Sequence, residues 1–169
     1  MPALLCASIL TKMHEQIERT EHLLNMLPPE RLNWTPPILN GWSTAKLLGH
    51  LLECLAGFCA VLAAVHPDRL AHFSRLREMP VNHACSASEA AARMAVYRSH
   101  IEEGFALLRD ADLARVIPTA FVETGEPVLT LLLGNLEHLI NHKHQLFTYL
   151  KLMEVEVGTR DLYCFRPGT

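Results

Sequence analysis

The stretch that decides the fold runs from Thr44 to Val65 and reads TAKLLGHLLECLAGFCAVLAAV. At about 3.6 residues per turn, its apolar side chains cover most of the helix circumference, and such a helix must be central in a globular protein. A transmembrane helix is the competing interpretation. Lys46, His50 and Glu53 in the first half would each be costly inside a bilayer, so we expect a buried core helix.

Three further helices are predicted, because apolar residues recur at helical spacing in residues 4–27, 87–108 and 127–153. The pattern Ser86-x-x-Glu89 is a capping box at the start of the third helix. Residues 116–126 are predicted to be an extended crossover loop. Four long helices with no strand of consequence predict an all-α four-helix bundle, which we assign as a single domain over residues 1–169.

The remaining connections are predicted from their prolines and polar residues. Residues 31–41 form an ordered linker, and Trp42 behind it is placed to pack on Leu47 as a hydrophobic staple. Residues 66–85 are a polar connection that contains a short helix around Arg69–Arg77.

Composition narrows the class of protein. The 169 residues carry a formal charge of −3 with scattered basic residues, so we expect neither nucleic acid nor a membrane surface as a partner. The N-terminus lacks the basic residues of a signal peptide. The five cysteines include no Cys-x-x-Cys pair and are interpreted as reduced, mostly buried thiols of a cytoplasmic protein.

The histidines carry the functional signal. His138 and His142 are four residues apart, so they share one face of the fourth helix and both rings can reach one ion. His144 lies about 200° round the same helix from His142 and is excluded as a ligand. His50 is the histidine of the apolar second helix, where a lone polar ring needs a partner.

Three neutral imidazoles would bind a divalent metal ion and leave one coordination position open for water or substrate. Zinc or nickel is the first choice for such a ligand set, with iron or manganese as further candidates. The spacing alone also fits a solvated pair, His138 and His142, with His50 hydrogen-bonded in the core.

Several motifs resemble one known family, the DinB/YfiT-like metal-binding bundles. They are Leu27-Pro-Pro-Glu30-Arg-Leu-Asn-Trp34, Trp42-Ser43, Leu48-Gly49-His50-Leu51, Gly125-x-Pro127 and His138-Leu-Ile-Asn-His142-Lys143-His144-Gln145-Leu146. The resemblance implies an up-down-down-up bundle, often a homodimer, with a metal ion held by His50, His138 and His142. Many members have Arg-Gly where this chain has Lys143-His144, which puts any role of that arginine in doubt here.

The resemblance also implies an enzyme, because relatives include S-transferases and isomerases that use a low-molecular-weight thiol such as bacillithiol, mycothiol or glutathione. A metal ion would lower the pKa of the thiol that attacks an electrophilic small molecule, or would activate water for hydrolysis. Glu53 and Gln145, each one turn from a predicted ligand, are candidate orienting residues or bases, although solvated or capping roles fit them equally.

Two non-enzymatic interpretations remain open. The chain could be a metal-binding stress or damage-response protein that acts as a dimer, or an interaction module that uses its apolar helices and the tail with Tyr163 and Phe165. So apolar a set of helices predicts a homodimer in either case. Residues 154–169 are too apolar for a free tail and are expected to fold onto the bundle or onto a second copy.

Overall fold

The structure is a computed structural model that describes residues 4–119 and 122–164. Its four long helices are α1 (Leu4–Asn25), α2 (Thr44–Val65), α3 (Ala87–Leu107) and α4 (Val128–Leu152). The predicted all-α bundle is confirmed, and the predicted helix ends agree with the observed ones to within two residues.

Contacts at the helix ends give the directions. Asp110, just after α3, accepts backbone amide hydrogens from the first turn of α1, so these two helices run antiparallel. The Cys85 amide donates to the Ala45 carbonyl at 3.2 Å, which places the starts of α2 and α3 side by side. His142 near the end of α4 meets His50 near the start of α2. The order is therefore up-down-down-up, as the family resemblance implied.

Helix α2 occupies the centre, packed against both α3 and α4. By length and composition alone it would be apolar enough to cross a membrane. Its large apolar side chains are instead buried in the bundle: Leu47, Leu48, Leu51, Leu52, Leu55, Phe58, Val61 and Leu62. Burying such side chains contributes roughly 1.5–3 kcal/mol each, so α2 is the core helix that its pattern predicted.

Several short elements lie in the connections between the helices. A 3₁₀ segment at Ala71–Glu78 occupies the place where a short helix was predicted. The crossover before α4, predicted to be an extended loop, is closed by two-residue strands, β1 (Val116–Ile117) and β2 (Glu126–Pro127), which pair antiparallel. Gly125, with φ of +83°, turns the chain into β2.

The C-terminal segment folds back onto the bundle as far as it is described. A single π-helical stretch, Arg160–Cys164, packs against α1, and the Leu162 side chain is buried. His22 of α1 lies 2.9 Å from the Asp161 carboxylate. Tyr163 is half-exposed, and Phe165, the other apolar residue expected here, lies outside the described residues.

Candidate metal centre

Three histidines from two helices meet between α2 and α4. His50 comes from α2, and His138 and His142 come from one face of α4, as the four-residue spacing predicted. One ring nitrogen from each lies within 4.8 Å of the other two. The predicted site residues are therefore brought together, and the group could hold a metal ion.

The separation of the ring nitrogens suits tetrahedral coordination. The Nε2 atoms of His50 and His138 are 3.1 Å apart. Ligand nitrogens on bonds of about 2.0–2.1 Å to a tetrahedral ion stand about 3.3 Å from each other. Two bare nitrogens this close would repel, so a proton or a metal ion between them is needed.

Asn82, a loop residue, holds the His50 ring through the nitrogen that does not face His138. The Nδ1 atom of His50 contacts Asn82 Oδ1 and also lies 2.9 Å from Glu53 Oε2. Both of these oxygens accept, so Nδ1 carries the proton and Nε2 keeps its lone pair for a metal ion. Asn82 has φ of +58°, a left-handed conformation that asparagine tolerates better than most residues.

The Asn82 loop reaches His50 because α2 has a glycine beside it. The Asn82 amide donates to the Gly49 carbonyl at 3.1 Å. A Cβ atom on Gly49 would lie 1.7 Å from the His83 carbonyl oxygen. Only glycine lets the loop lie directly on the helix backbone here, which explains the glycine that precedes His50.

A hydrogen-bond chain holds His142 from behind. Nδ1 of His142 donates to Gln145 Oε1 at 2.9 Å, and the Gln145 amide nitrogen donates to the Tyr149 hydroxyl at 3.1 Å. The hydroxyl donates in turn to the Trp42 carbonyl at 3.1 Å. This direction of donation leaves Nε2 of His142 unprotonated, as a metal ligand requires.

Burial favours the neutral form of the two α4 histidines. Loss of hydration lowers the pKa of His138, and the neighbouring His50 lowers it further. Burial likewise lowers the pKa of His142, although its bond to Gln145 opposes the shift. Neutral rings bind metal ions, so the electrostatics of the pocket agree with its geometry.

Trp42, predicted to pack on Leu47 as a staple, lies over the histidine cluster. Its ring stacks on His142, with centroids 5.9 Å apart, and meets His50 edge-on at 4.7 Å. Lys46 also lies over the indole, with Nζ 5.1 Å from the ring centroid. Trp42 therefore covers one side of the histidine cluster.

An apolar cleft of about 380 Å³ begins beside the site. Glu53 lines it together with small and aromatic residues, among them Ala56, Gly57 and Phe73. Because the same Glu53 carboxylate lies against His50, the cleft and the histidine cluster share a wall.

Lys143 and His144, the two residues that depart from the family pattern, face away from the three-histidine cluster. Lys143 is buried at 2% exposure and donates through Nζ to Gln16 Oε1 at 2.8 Å and to the Leu162 carbonyl at 3.2 Å. Burial lowers the pKa of Lys143 to about 8. His144 is exposed on the outer side of α4, which confirms its exclusion from the cluster.

Sequence reasoning missed three residues of the site. Asn82 lies in the polar connection, where no periodicity indicates what it touches. The pattern around Trp42 predicts only a packing contact with Leu47, and no spacing singles out Tyr149. Each acts through a contact across the fold, so spacing along the chain could not reveal it.

Comparisons with known proteins agree with this architecture. The structure is similar to the crystal structure of a DinB-like protein of Bacillus subtilis, YjoA, with a TM-score of 0.65 over 87% of this chain and 92% of that chain. The two sequences are 19% identical, so the likeness shows the fold alone. No curated protein sequence matches the chain. The sequence model of the DinB superfamily matches residues 12–146, which include all three clustered histidines, and the chain therefore belongs to the DinB superfamily.

Proposed function

We propose that this protein is a metal-dependent transferase that joins a low-molecular-weight thiol to an electrophilic small molecule. The observation that carries the proposal is the convergence of His50, His138 and His142, with the outer nitrogens of His50 and His142 held by oxygen acceptors. Zinc or nickel suits three neutral imidazoles, with iron or manganese as further candidates. A bound ion would lower the pKa of a thiol or water in the open position.

The accessibility of the cluster favours a reactive site over a closed one. All three histidines are partly exposed, whereas structural zinc sites usually have four protein ligands. A three-histidine set leaves room for one outside group. The apolar cleft beside Glu53 is large enough for the organic part of a small molecule.

Four of the five cysteines do not offer a reactive thiol. Cys6, Cys54, Cys59 and Cys85 are all buried. Burial raises the pKa of Cys6, Cys54 and Cys59 to about 12 and that of Cys85 to about 11, so these thiols stay protonated and unreactive. A free low-molecular-weight thiol is the natural donor.

Glu53 is the candidate proton acceptor. Its side chain is 40% exposed and borders both the cluster and the cleft. Asn82 contacts the same His50 nitrogen, so Asn82 can hold the ring while the Glu53 carboxylate takes the thiol proton. In the reaction with an alkyl halide, a sulfur–carbon bond forms, the carbon–halogen bond breaks and halide leaves.

The test is a thiol-transfer assay on zinc- or nickel-loaded protein. Glutathione, bacillithiol and mycothiol are each mixed with a fluorogenic alkyl halide, and thioether formation is followed. We expect catalysis that is lost in His50→Ala and at least tenfold slower in Glu53→Gln, the latter with metal still bound. Ester hydrolysis without thiol transfer would instead assign the open position to water.

A non-catalytic role is the second candidate, because the three ligands join α2 to α4 and an ion there would cross-link the bundle. The melting temperature of His50→Ala distinguishes the two. If the variant loses metal with little change in melting temperature, the ion is not a structural clamp. A large fall in melting temperature, with no turnover in the wild type, would favour the metal-binding stress-response role.

We also propose that the protein acts as a homodimer. Leu133 and Ile140 on the outer side of α4 are 47% and 36% exposed, which leaves apolar surface for a twofold contact. Light scattering should give a particle of twice 19.0 kDa, and a 19.0 kDa particle at micromolar concentration would contradict the proposal.

A further inference from the structure

A second group of metal-ligating side chains lies at the start of α3, separate from the three-histidine cluster. His83, Cys85 and Glu89 each offer one ligand atom, and these atoms lie within 4.8 Å of one another. His83 and Cys85 belong to the loop that lies on α2, and Glu89 belongs to the first turn of α3. A nitrogen, a sulfur and a carboxylate oxygen therefore lie close enough together to bind one ion.

The backbone holds this group in place from both ends of the loop. The Asn82 amide donates to Gly49 and the Cys85 amide donates to Ala45, at 3.1 and 3.2 Å. His83 and Cys85 lie two residues apart, between these two hydrogen bonds. The arrangement is therefore fixed before any ion binds, which lowers the cost of ordering it.

Glu89 departs from the role that its sequence pattern predicts. In a capping box its carboxylate would accept from the Ser86 amide, and the Ser86 hydroxyl does accept from the Glu89 amide at 3.1 Å. The carboxylate instead lies 2.8 Å from Nε2 of His83. Among the described residues, half of the capping box is present and its acid faces the cluster.

The other ring nitrogen of His83 is an independent indication that a ligand binds here. Nδ1 of His83 is buried and has no hydrogen-bond partner within the described part of the chain. A buried ring nitrogen without a partner is costly and calls for a ligand or an ordered water. The ring has a carboxylate on one side, with the Cys85 sulfur nearby.

We propose that His83, Cys85 and Glu89 form a second divalent-cation site of the zinc type. One imidazole, one thiolate and one carboxylate are the ligand types that zinc takes in proteins. Binding displaces the proton of the Cys85 thiol to solvent, and the His83 ring binds in its neutral form. An ion can enter from solvent, since the side chains of His83 and Glu89 are 28% and 44% exposed.

Arg93 should weaken the binding of a cation at this site. Its Nη1 atom is 3.9 Å from the Glu89 carboxylate, so a positive charge already stands near one ligand. Its Nη2 atom donates to the Tyr97 hydroxyl at 3.1 Å, which holds the guanidinium on the α3 side of the cluster. We expect the second site to bind more weakly than the three-histidine cluster.

The site would fix the segment that orients His50. Asn82 contacts His50 and is the immediate neighbour of His83. An ion held by His83, Cys85 and Glu89 ties this loop to α3 without touching the three-histidine cluster.

Cobalt(II) titration of the full-length protein tests the proposal, because a thiolate bound to cobalt gives a near-ultraviolet charge-transfer band and three histidines do not. We expect two equivalents of cobalt in the wild type, the weaker one producing the band. Cys85→Ser should lose the band and one equivalent. Cys59→Ser, at another buried cysteine, is the matched control and should keep both.

The His50, His138, His142 triple alanine variant should keep the band, since it lacks only the first site. Loss of the band there would overturn the assignment to a separate site, and so would a band that survives in Cys85→Ser or is absent from saturated wild type. Should Cys85→Ser fail to fold by circular dichroism, Glu89→Gln decides. We expect it to weaken the second equivalent at least tenfold, and an unchanged titration would overturn the proposal.

Discussion

The interface between α2 and α4 and the interface between α1 and α3 both carry polar side chains, but they use them in opposite ways. Between α1 and α3, Arg98 bonds Glu18 at 3.1 Å, and within α3 it also bonds Glu102 at 3.3 Å, so its charge meets opposite charges. Between α2 and α4, the nitrogens of His50 and His138 face each other at 3.1 Å. Opposite charges at the surface satisfy each other, whereas the two nitrogens need a proton or a metal ion between them.

The two interfaces also differ in how firmly their polar side chains are held in place. The Arg98 ion pairs at the α1–α3 interface are made by long, partly exposed side chains. The α2–α4 histidines are held from behind by Asn82 and Gln145. Holding a ring in one orientation costs conformational entropy, and that cost is typical of a binding site.

Among the substitutions that test this difference between the two interfaces, Gly49→Ala should have the largest effect. The new Cβ atom would stand 1.7 Å from the His83 carbonyl oxygen, so the Asn82 loop must move off α2. We expect a loss of about 1–3 kcal/mol in the free energy of unfolding, together with weaker metal binding. Urea unfolding and metal titration measure the two effects.

Gly134→Ala on α4 is the matched control for Gly49→Ala. A Cβ atom there meets nothing within 4 Å, so alanine should stabilise the helix by about 0.5–1 kcal/mol and leave metal binding unchanged. Equal effects of the two substitutions would contradict the close approach at Gly49.

The next effect should come from Gln145→Leu, which removes the acceptor of the His142 Nδ1 proton. Loss of such an outer partner typically weakens metal binding about 10–100-fold. Tyr149→Phe, one step further along the chain of bonds, should cost less. Competition with a chromophoric chelator gives the metal affinity of both variants. An unchanged affinity in Gln145→Leu would contradict the role of Gln145 in orienting His142.

A pH effect of smaller size follows from His138 and His142, whose pKa values are lowered by burial. In the unfolded chain both titrate near the ordinary value of about 6.5, so the unfolded state binds more protons below that pH. Their contribution to the stability of metal-free protein is present above pH 6.5 or so and is lost as the pH falls through the lowered pKa values. The triple alanine variant should lose less stability between neutral and acidic pH than the wild type, and identical pH profiles in urea unfolding would contradict this.

The smallest effect should come from Arg98→Ala on the other interface. Exposed ion pairs contribute roughly 0.2–1 kcal/mol, so the free energy of unfolding should change by no more than that, with metal binding unaltered. A change above this range, measured by urea unfolding at low and high salt, would mean that the Arg98 ion pairs contribute more than exposed pairs normally do.

The helices and the pairing of His138 with His142 were predictable because both depend on spacing along one element, whereas His50 was expected from its place in an apolar helix and from the family resemblance. The apolar pattern of α2 required a central helix, and the four-residue interval set His138 beside His142. Glu53 and Gln145 were expected near the ligands for the same reason, and both lie 2.9 Å from a ligand ring; their roles remain predictions.

The rest depended on how distant segments meet. Asn82 reaches His50 across 32 residues, through a loop whose position depends on the missing side chain of Gly49. Trp42 and Tyr149 are joined over 107 residues by one hydrogen bond. Such contacts follow from packing, which a pattern of polar and apolar residues along the chain does not specify.

Metal content per chain, measured by mass spectrometry on untagged protein, tests the central claim most directly. The His50, His138, His142 triple alanine variant is compared with the wild type, and His144→Ala on the outer side of α4 is the control. We predict that wild type and control each hold one equivalent more than the triple variant. Equal metal content in all three proteins after reconstitution would contradict the three-histidine site.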